Sequence, residues 1–96
     1  MSFAATVKAQ SASIRRLAGI HRTTNPRLFG SALHGTEGQD SDIDILVDAL
    51  PGATLFDLGS LHQDLHDLLG APVDLVTPND LPASFRGRVL AEAQAI

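Results

Sequence analysis

The chain has 96 residues, of which 44% are apolar, and its seven basic and eleven acidic side chains give a formal net charge of −4. This composition excludes a disordered chain, the apolar runs are far shorter than a membrane span of roughly 20 residues, and the acidic balance argues against direct binding of nucleic acid. The absence of cysteine excludes disulfides and thiolate metal sites. We expect residues 1–96 to form a single domain with one modest core and, because no signal peptide is recognisable, to reside in the cytoplasm.

The first third of the chain predicts a helix and a short strand. Apolar residues recur at near-helical spacing over residues 2–20. Residues 21–26 have the composition of a loop, and residues 27–29 predict a strand that ends at Gly30. The segment SALHGTEGQ that follows is rich in glycine and predicts a turn-rich connector.

Residues 42–48 form the clearest strand in the sequence, because apolar and polar residues alternate there. Asp42 and Asp44 then lie on one face, roughly 6–7 Å apart at the backbone, where two ionised carboxylates repel each other. A divalent cation reverses this repulsion, and oxygen ligands without cysteine favour Mg²⁺ or Mn²⁺ over zinc. The alternative is a solvated strand face without a catalytic role.

The last part of the chain predicts a helix, a strand and a second helix. Thr54 and Asp57 resemble a capping box before a leucine-rich helix that ends at Gly70. Residues 73–76 predict a short strand, and Pro82 suits the first position of a last helix. The order αββαβα predicts an α/β (α+β) fold in which one small mixed sheet is covered by helices.

Asp74 supplies a third carboxylate within the strand at residues 73–76. If this strand pairs beside residues 42–48, three carboxylates come together and could hold two ions roughly 3.5–4 Å apart, as in nucleotidyl transfer. The alternative is a solvated edge residue. Gly30 and Ser31 favour the first interpretation, because a close glycine turn, a hydroxyl and the free amides of a following helical turn would cradle the phosphates of a nucleoside triphosphate.

This pattern of Gly-Ser, ten residues, D-x-D, an apolar strand and a later aspartate resembles the polymerase-beta-like nucleotidyltransferase superfamily. The small size and the stretch GSALHGTEGQDSDIDILVD are most similar to its minimal members, the MNT proteins. These proteins are encoded beside HEPN-domain RNases and act as antitoxins. The resemblance runs from about residue 26 to the C-terminus.

The resemblance implies that Gly30 and Ser31 hold the triphosphate of ATP. It implies that Asp42, Asp44 and Asp74 form the catalytic metal site for Mg²⁺ (or Mn²⁺), with Asp74 also helping to activate the acceptor hydroxyl. Many family members carry arginines in the turn after Gly-Ser, where this chain has Ala32 and His34. His34 would then bind the nucleotide as a neutral donor or a partial cation, or would be purely structural.

The function implied is that of an antitoxin enzyme, which moves AMP from ATP to a tyrosine of its HEPN RNase toxin and forms a hetero-oligomer with it. A second domain for binding an acceptor is not evident in the sequence, so we expect the acceptor to be a folded protein. One alternative is a weak or inactive transferase that neutralises its toxin by steric binding. Another is a small-molecule transferase of the aminoglycoside-modifying kind.

Overall fold

Four strands form one mixed sheet flanked by helices in the computed structural model, which describes residues 2–38 and 40–96. The strands are β1 (Thr23–Phe29), β2 (Ile43–Ala49), β3 (Val73–Val76) and β4 (Gln94–Ala95). The helices are α1 (Phe3–Ala9), α2 (Ser11–Ile20), α3 (Gly30–His34), α4 (Leu55–Leu69) and α5 (Ala83–Glu92), and a 3-10 turn spans Pro78–Asp80. Met1, in the predicted single domain, and Gln39, in the predicted connector, lie outside the described residues.

The sheet has the strand order β3-β2-β1-β4. β2 pairs in parallel with β3 and antiparallel with β1, which in turn pairs antiparallel with β4. A parallel pair needs a long crossover, and α4 provides it between β2 and β3. The predicted α/β class with a small mixed sheet is therefore confirmed, and so is the placement of residues 73–76 beside residues 42–48.

The core lies between one face of this sheet and the helices α1, α2 and α4. Ile43, Ile45 and Val47, at alternate positions of β2, are fully buried. They pack in one cluster with apolar residues of the helices and of β3, which include Val7, Ile14, Leu61, Leu65, Leu69 and Val73. Because successive side chains of a strand point to opposite faces, this packing directs Asp44 to the other face of the sheet.

The other face is covered near Leu46, which lies two residues beyond Asp44. Leu46 is fully buried although it is not part of the core cluster. Leu81, which lies between the 3-10 turn and α5, is also buried, and the 3-10 turn contacts β2. The connection from β3 to α5 therefore packs over this part of the face, next to the part that carries Asp44.

The N-terminal region differs from the sequence-based expectation. The helix predicted over residues 2–20 is two helices that meet at Gln10 (φ −104°, ψ 15°), because no large apolar residue between Val7 and Ile14 holds a continuous helix against the core. The strand predicted at residues 27–29 already begins at Thr23. It includes an irregularity between Thr24 and Arg27, which strand periodicity does not reveal.

The structure also adds two elements to the predicted order αββαβα. The short helix α3 lies in the segment predicted as a turn-rich connector. The two-residue strand β4 pairs with β1, and two residues are too few to give a periodic signal in the sequence.

The predicted ends of α4 are confirmed. The Thr54 side chain accepts a hydrogen bond from the Asp57 N–H, and the Thr54 N–H donates to Oδ2 of Asp57 at 2.8 Å. Gly70 follows the helix in the left-handed conformation, with φ +66°. Across residues 2–38 and 40–96, no helix has the length and apolar character needed to cross a membrane.

Candidate active site

Asp44 and Asp74, two of the three predicted carboxylates, are direct neighbours in the sheet. The parallel register of β2 and β3 pairs Asp44 with Asp74. Both residues alternate with core residues, so their side chains leave the same face of the sheet, on strands that lie about 4.8 Å apart. Their carboxyl groups come close enough to share a hydrogen bond. The proximity of these two groups is thus present in the structure as the sequence predicted.

Asp42 completes the acidic group at the start of β2. It directly precedes the strand and is exposed to solvent. Its charge nevertheless acts on Asp44, because repulsion from Asp42 is one of the causes that raise the pKa of Asp44. The three predicted carboxylates therefore form one electrostatic group centred on Asp44.

The pKa of Asp44 is raised from its ordinary value of 3.8 to about 6. The largest cause is partial burial, which disfavours the charged form, and repulsion from Asp74 and Asp42 comes next. A hydrogen bond with the Asp74 side chain raises the pKa of Asp44 further. At neutral pH Asp44 is ionised. A positive charge placed beside Asp44 would therefore relieve most of the repulsion within the acidic group.

Gly30 lies directly against the Asp44 carboxyl group. Its φ is +71°, a conformation that favours glycine, and a Cβ atom at this position would overlap Oδ2 of Asp44 and lie 3.0 Å from its Cγ. The antiparallel register explains the close approach, since Phe29 pairs with Asp44 and Gly30 follows Phe29. The Gly-Ser turn is thereby brought to the carboxylates, as the sequence predicted, but the need for glycine arises from Asp44 as well as from the turn.

The rest of the turn forms α3, in which Ser31 is half-buried and Ala32 is fully buried in the core cluster. A side chain at position 32 therefore points into the core, and a longer charged side chain there would not be directed at the carboxylates. Core packing therefore explains the small apolar side chain at position 32.

His34 contacts the last helix. Its Nε2 lies 3.2 Å from Oε2 of Glu92 on α5, and both side chains are about half exposed. Glu92 is not recognisable as a site residue from the sequence, because a single acidic residue on a polar helix face carries no local signal. The contact joins the Gly-Ser turn to α5, and the predicted nucleotide-binding role of His34 stays a prediction.

Arg86 fixes the connection that follows Asp74. Its Nε donates to the Pro78 carbonyl and its Nη2 to the Leu81 carbonyl, both at 2.8 Å. These bonds hold the 3-10 turn against α5, so the end of β3 is anchored. Sequence reasoning missed Arg86, since its partners are backbone carbonyls that only the fold brings together.

The donor set at Asp44 and Asp74 fits Mg²⁺ by its chemistry. In the described residues no three side chains of His, Asp or Glu already form a cage that would enclose a metal ion. Mg²⁺ is commonly bound by one or two carboxylates together with the phosphates of its substrate, and a complete protein cage is not needed. The register-paired carboxylates, with the mutual repulsion that raises the pKa of Asp44, match that mode of binding.

A cavity of about 420 Å³ lies elsewhere, between α1 and the edge formed by β1 and β4. Val7, Lys8, Leu28 and Ile96 are among the residues that line it. None of the predicted site residues borders this cavity, so it is separate from the acidic group.

Residues 26–96 match the family model described as "Polymerase beta, Nucleotidyltransferase". Because the match covers most of the chain, this protein belongs to that family of nucleotidyltransferases. Its fold is that of the minimal members. A solved structure described as a "putative minimal nucleotidyltransferase" aligns with a TM-score of 0.83 and 35% identity, over 100% of this chain and 95% of the other.

Three further similarities concern two named proteins and one solved complex. The Methanocaldococcus jannaschii protein named "putative protein adenylyltransferase MJ0435" is 37% identical over 73 residues, 76% of this chain and 78% of that protein. Protein adenylyltransferase MntA of Thermococcus cleftensis is 40% identical over 65 residues, 68% of this chain and 66% of that protein. A crystal structure of a toxin-antitoxin with AMP-PNP aligns with a TM-score of 0.70 and 28% identity, over 91% of this chain and 69% of that chain. The family and fold predicted from the sequence are confirmed.

The raised pKa of Asp44 predicts a pH-dependent effect of Asp44→Asn on stability without metal. The folded state favours protonated Asp44. The contribution of this protonation to the free energy of unfolding is therefore complete below pH 3.8 and is lost as the pH rises through about 6. The Asn variant should therefore be more stable than the parent at pH 7.5, and the difference should shrink towards pH 5. Urea unfolding in EDTA at several pH values measures the difference in free energy of unfolding between the variant and the parent. A difference that does not change with pH would contradict the placement of Asp44.

Gly30→Ala should destabilise the fold more than Gly70→Ala. Both glycines have positive φ, +71° and +66°, but an added Cβ meets Asp44 at position 30 and nothing within 4 Å at position 70. The backbone effect alone costs about 1–2 kcal/mol, which is the expected loss for Gly70→Ala in urea unfolding. Equal losses for the two variants would show that the Gly30 backbone does not lie against Asp44.

Proposed function

We propose that this protein is a Mg²⁺-dependent protein adenylyltransferase and the antitoxin of a HEPN-domain RNase toxin. It would move AMP from ATP to a tyrosine hydroxyl of the toxin and so inactivate it. The reaction consumes ATP, which supports the cytoplasm as its proposed compartment, and residues 1–96 would act as one domain. A relative named as a protein adenylyltransferase and a similar toxin-antitoxin structure with AMP-PNP support the acceptor class and the nucleotide.

The single observation that carries the proposal is the row formed by Gly30, which directly follows β1, and by Asp44 and Asp74 on the next two strands of the sheet. Asp44 is register-paired with Asp74 on one side and lies against Gly30 on the other. The backbone that we propose to bind phosphate and the two carboxylates that we propose to bind a cation thereby lie in one short row. This row matches what a nucleoside triphosphate with a bound cation requires.

In the proposed complex, the backbone of Gly30 and the hydroxyl of Ser31 bind the β- and γ-phosphates, and His34 lies at the outer end of the same turn. Asp42, Asp44 and Asp74 would hold Mg²⁺. When bound, Mg²⁺ supplies the positive charge that compensates the carboxylates and phosphates and that lowers the proton affinity of the attacking hydroxyl. The residues themselves align the reacting groups, since phosphoryl chemistry needs alignment and charge compensation above all.

The proposed step exchanges one bond at the α-phosphorus of ATP. The tyrosine oxygen forms a bond to the α-phosphorus, and the bond from that phosphorus to the oxygen bridging to the β-phosphate breaks. Pyrophosphate leaves with the electron pair, and the proton of the hydroxyl passes to Asp74 and then to solvent. The toxin gains an AMP group whose negative charge and bulk would block RNA near its active site.

Steric neutralisation without transfer is the second candidate. It is favoured by the turn at residues 30–35, which carries no Lys or Arg and therefore offers the phosphates no fixed positive charge. In this alternative the same surface covers the toxin, but no AMP is attached. Transfer to a small molecule is the third candidate, and labelling of an aminoglycoside by the purified chain alone would support it.

Asp44→Asn should abolish AMP transfer while Asp48→Asn retains it. Both aspartates lie on β2 and both changes remove one charge, but Asp48 is paired with Arg27 at 2.7 Å, away from Asp74. We expect a loss of at least about a hundredfold for Asp44→Asn, since an electrostatic contribution to the transition state is removed. Each variant is co-expressed with the HEPN toxin, and the toxin is weighed intact by mass spectrometry.

Three outcomes separate the candidates. AMP on the toxin with the parent and Asp48→Asn, but not with Asp44→Asn, supports the proposal. Undiminished labelling by Asp44→Asn contradicts the role of the carboxylate. Protection of cells by the parent and by Asp44→Asn alike, with no change in toxin mass in either case, supports steric neutralisation.

A further inference from the structure

The outer edge of β3 lies next to the acidic group and is the end of the sheet. The Ile43 N–H donates to the Pro72 carbonyl at 2.8 Å, which turns the backbone groups of residue 72 towards β2. Backbone groups alternate in direction along a strand, so those of Asp74 also face β2. The N–H and C=O groups of Val73 and Leu75 therefore point outwards, away from the sheet.

Hydrogen bonds close this edge on both sides of Leu75. The Val73 carbonyl accepts a hydrogen bond of 2.6 Å from Nε2 of His62 on α4. The Thr77 N–H donates to Oδ2 of Asp80 at 2.9 Å. Proteins commonly protect their edge strands in such ways. Between the two closed positions, the outward backbone groups of Leu75 have no strand beside them, since β3 is the end of the sheet, and no turn, loop or side chain among residues 2–38 and 40–96 forms a hydrogen bond with them.

Leu75, whose backbone groups are unpaired within the described residues, directly follows Asp74 and lies at the end of the row formed by Gly30, Asp44 and Asp74. Gly30 directly follows β1, Asp44 lies on β2 and Asp74 on β3, and the next strand position beyond β3 would be about 4.8 Å further out. A residue placed there beside Asp74 would raise its side chain on the same face. Phosphates at the Gly30 end and an acceptor beyond Asp74 would then lie on opposite sides of the carboxylates, as an in-line displacement requires.

We propose that an extended segment of the acceptor protein docks on the β3 edge at Leu75 as an added strand and thereby places its hydroxyl beside Asp74. This inference rests on the proposed function, because it names how the partner's acceptor segment reaches that site. The Leu75 side chain packs against the core, so its backbone alone is presented to the partner. Recognition through main-chain hydrogen bonds suits an extended segment, because one partner residue can pair with both the N–H and the C=O of Leu75.

Amide hydrogen exchange measured by NMR tests the docking directly. The chain is studied alone and with the HEPN toxin in the presence of Mg²⁺ and α,β-methylene ATP, in which a carbon replaces the oxygen that would leave with pyrophosphate. We expect exchange of the Leu75 amide to slow by at least about tenfold in the complex, which corresponds to about 1.4 kcal/mol. The Asp74 amide is the internal control, since it faces β2 and should be protected in both samples.

Leu75→Pro and Leu75→Ala provide a matched test of the same hydrogen bonds. Proline removes the outward N–H and is tolerated on edge strands, whereas alanine shortens the side chain and keeps the N–H. We expect Leu75→Pro to raise KM for the toxin about tenfold relative to Leu75→Ala, with a similar kcat. Equal KM values for the two variants would overturn the proposal.

The outcomes distinguish this inference from the function on which it rests. Transfer of AMP to the toxin with an unprotected Leu75 amide overturns the inference and leaves the proposed function standing. Protection of Leu75 in the isolated chain that grows with its concentration would show that a second copy occupies the edge, which also overturns it. No complex and no transfer would overturn both.

Discussion

Repulsion between two carboxylates on adjacent parallel strands is the constraint on which the site depends. The register of β2 and β3 forces Asp44 and Asp74 together, and the partial burial of Asp44 keeps water from screening their repulsion fully. The backbone register cannot slip to separate them, because a shift by one residue would turn Ile43 and Ile45 away from the core. The packing of one face of β2 thus sustains an unfavourable arrangement on the other. Such local conflict is typical of functional sites, where stability is reduced in favour of activity.

The surrounding elements hold this arrangement from several directions. α4 makes the crossover that allows β2 and β3 to run parallel, and its capping box and Gly70 define where it begins and ends. Arg86 anchors the chain that leaves β3, and the close approach of Gly30 leaves Asp44 little room to move away. The acidic group is therefore preorganised by the fold, so that a bound cation and nucleotide would meet carboxylates already in position.

The sequence predicted the relative placement of Asp44 and Asp74 better than it predicted the boundaries of the elements around them. The alternation in residues 42–48 and 73–76 placed Asp44 and Asp74 on one face, because a period of two residues follows directly from strand geometry. The break at Gln10, the early start of β1 and the strand β4 were missed, since each depends on tertiary packing or on too few residues for a pattern. Glu92 and Arg86 were missed for a related reason. Their partners, His34 and two backbone carbonyls, become neighbours only when α5 folds back.

The most direct test of the account is the pKa of the Asp44 carboxyl group, measured by carbon NMR without metal and then with Mg²⁺ and α,β-methylene ATP. We expect a pKa of about 6 for the free protein and a fall to the ordinary value of 3.8 or below in the ternary complex, because the cation favours the charged form. A pKa of Asp44 already near 3.8 in the free protein, or one that stays at about 6 in the complex, would contradict it.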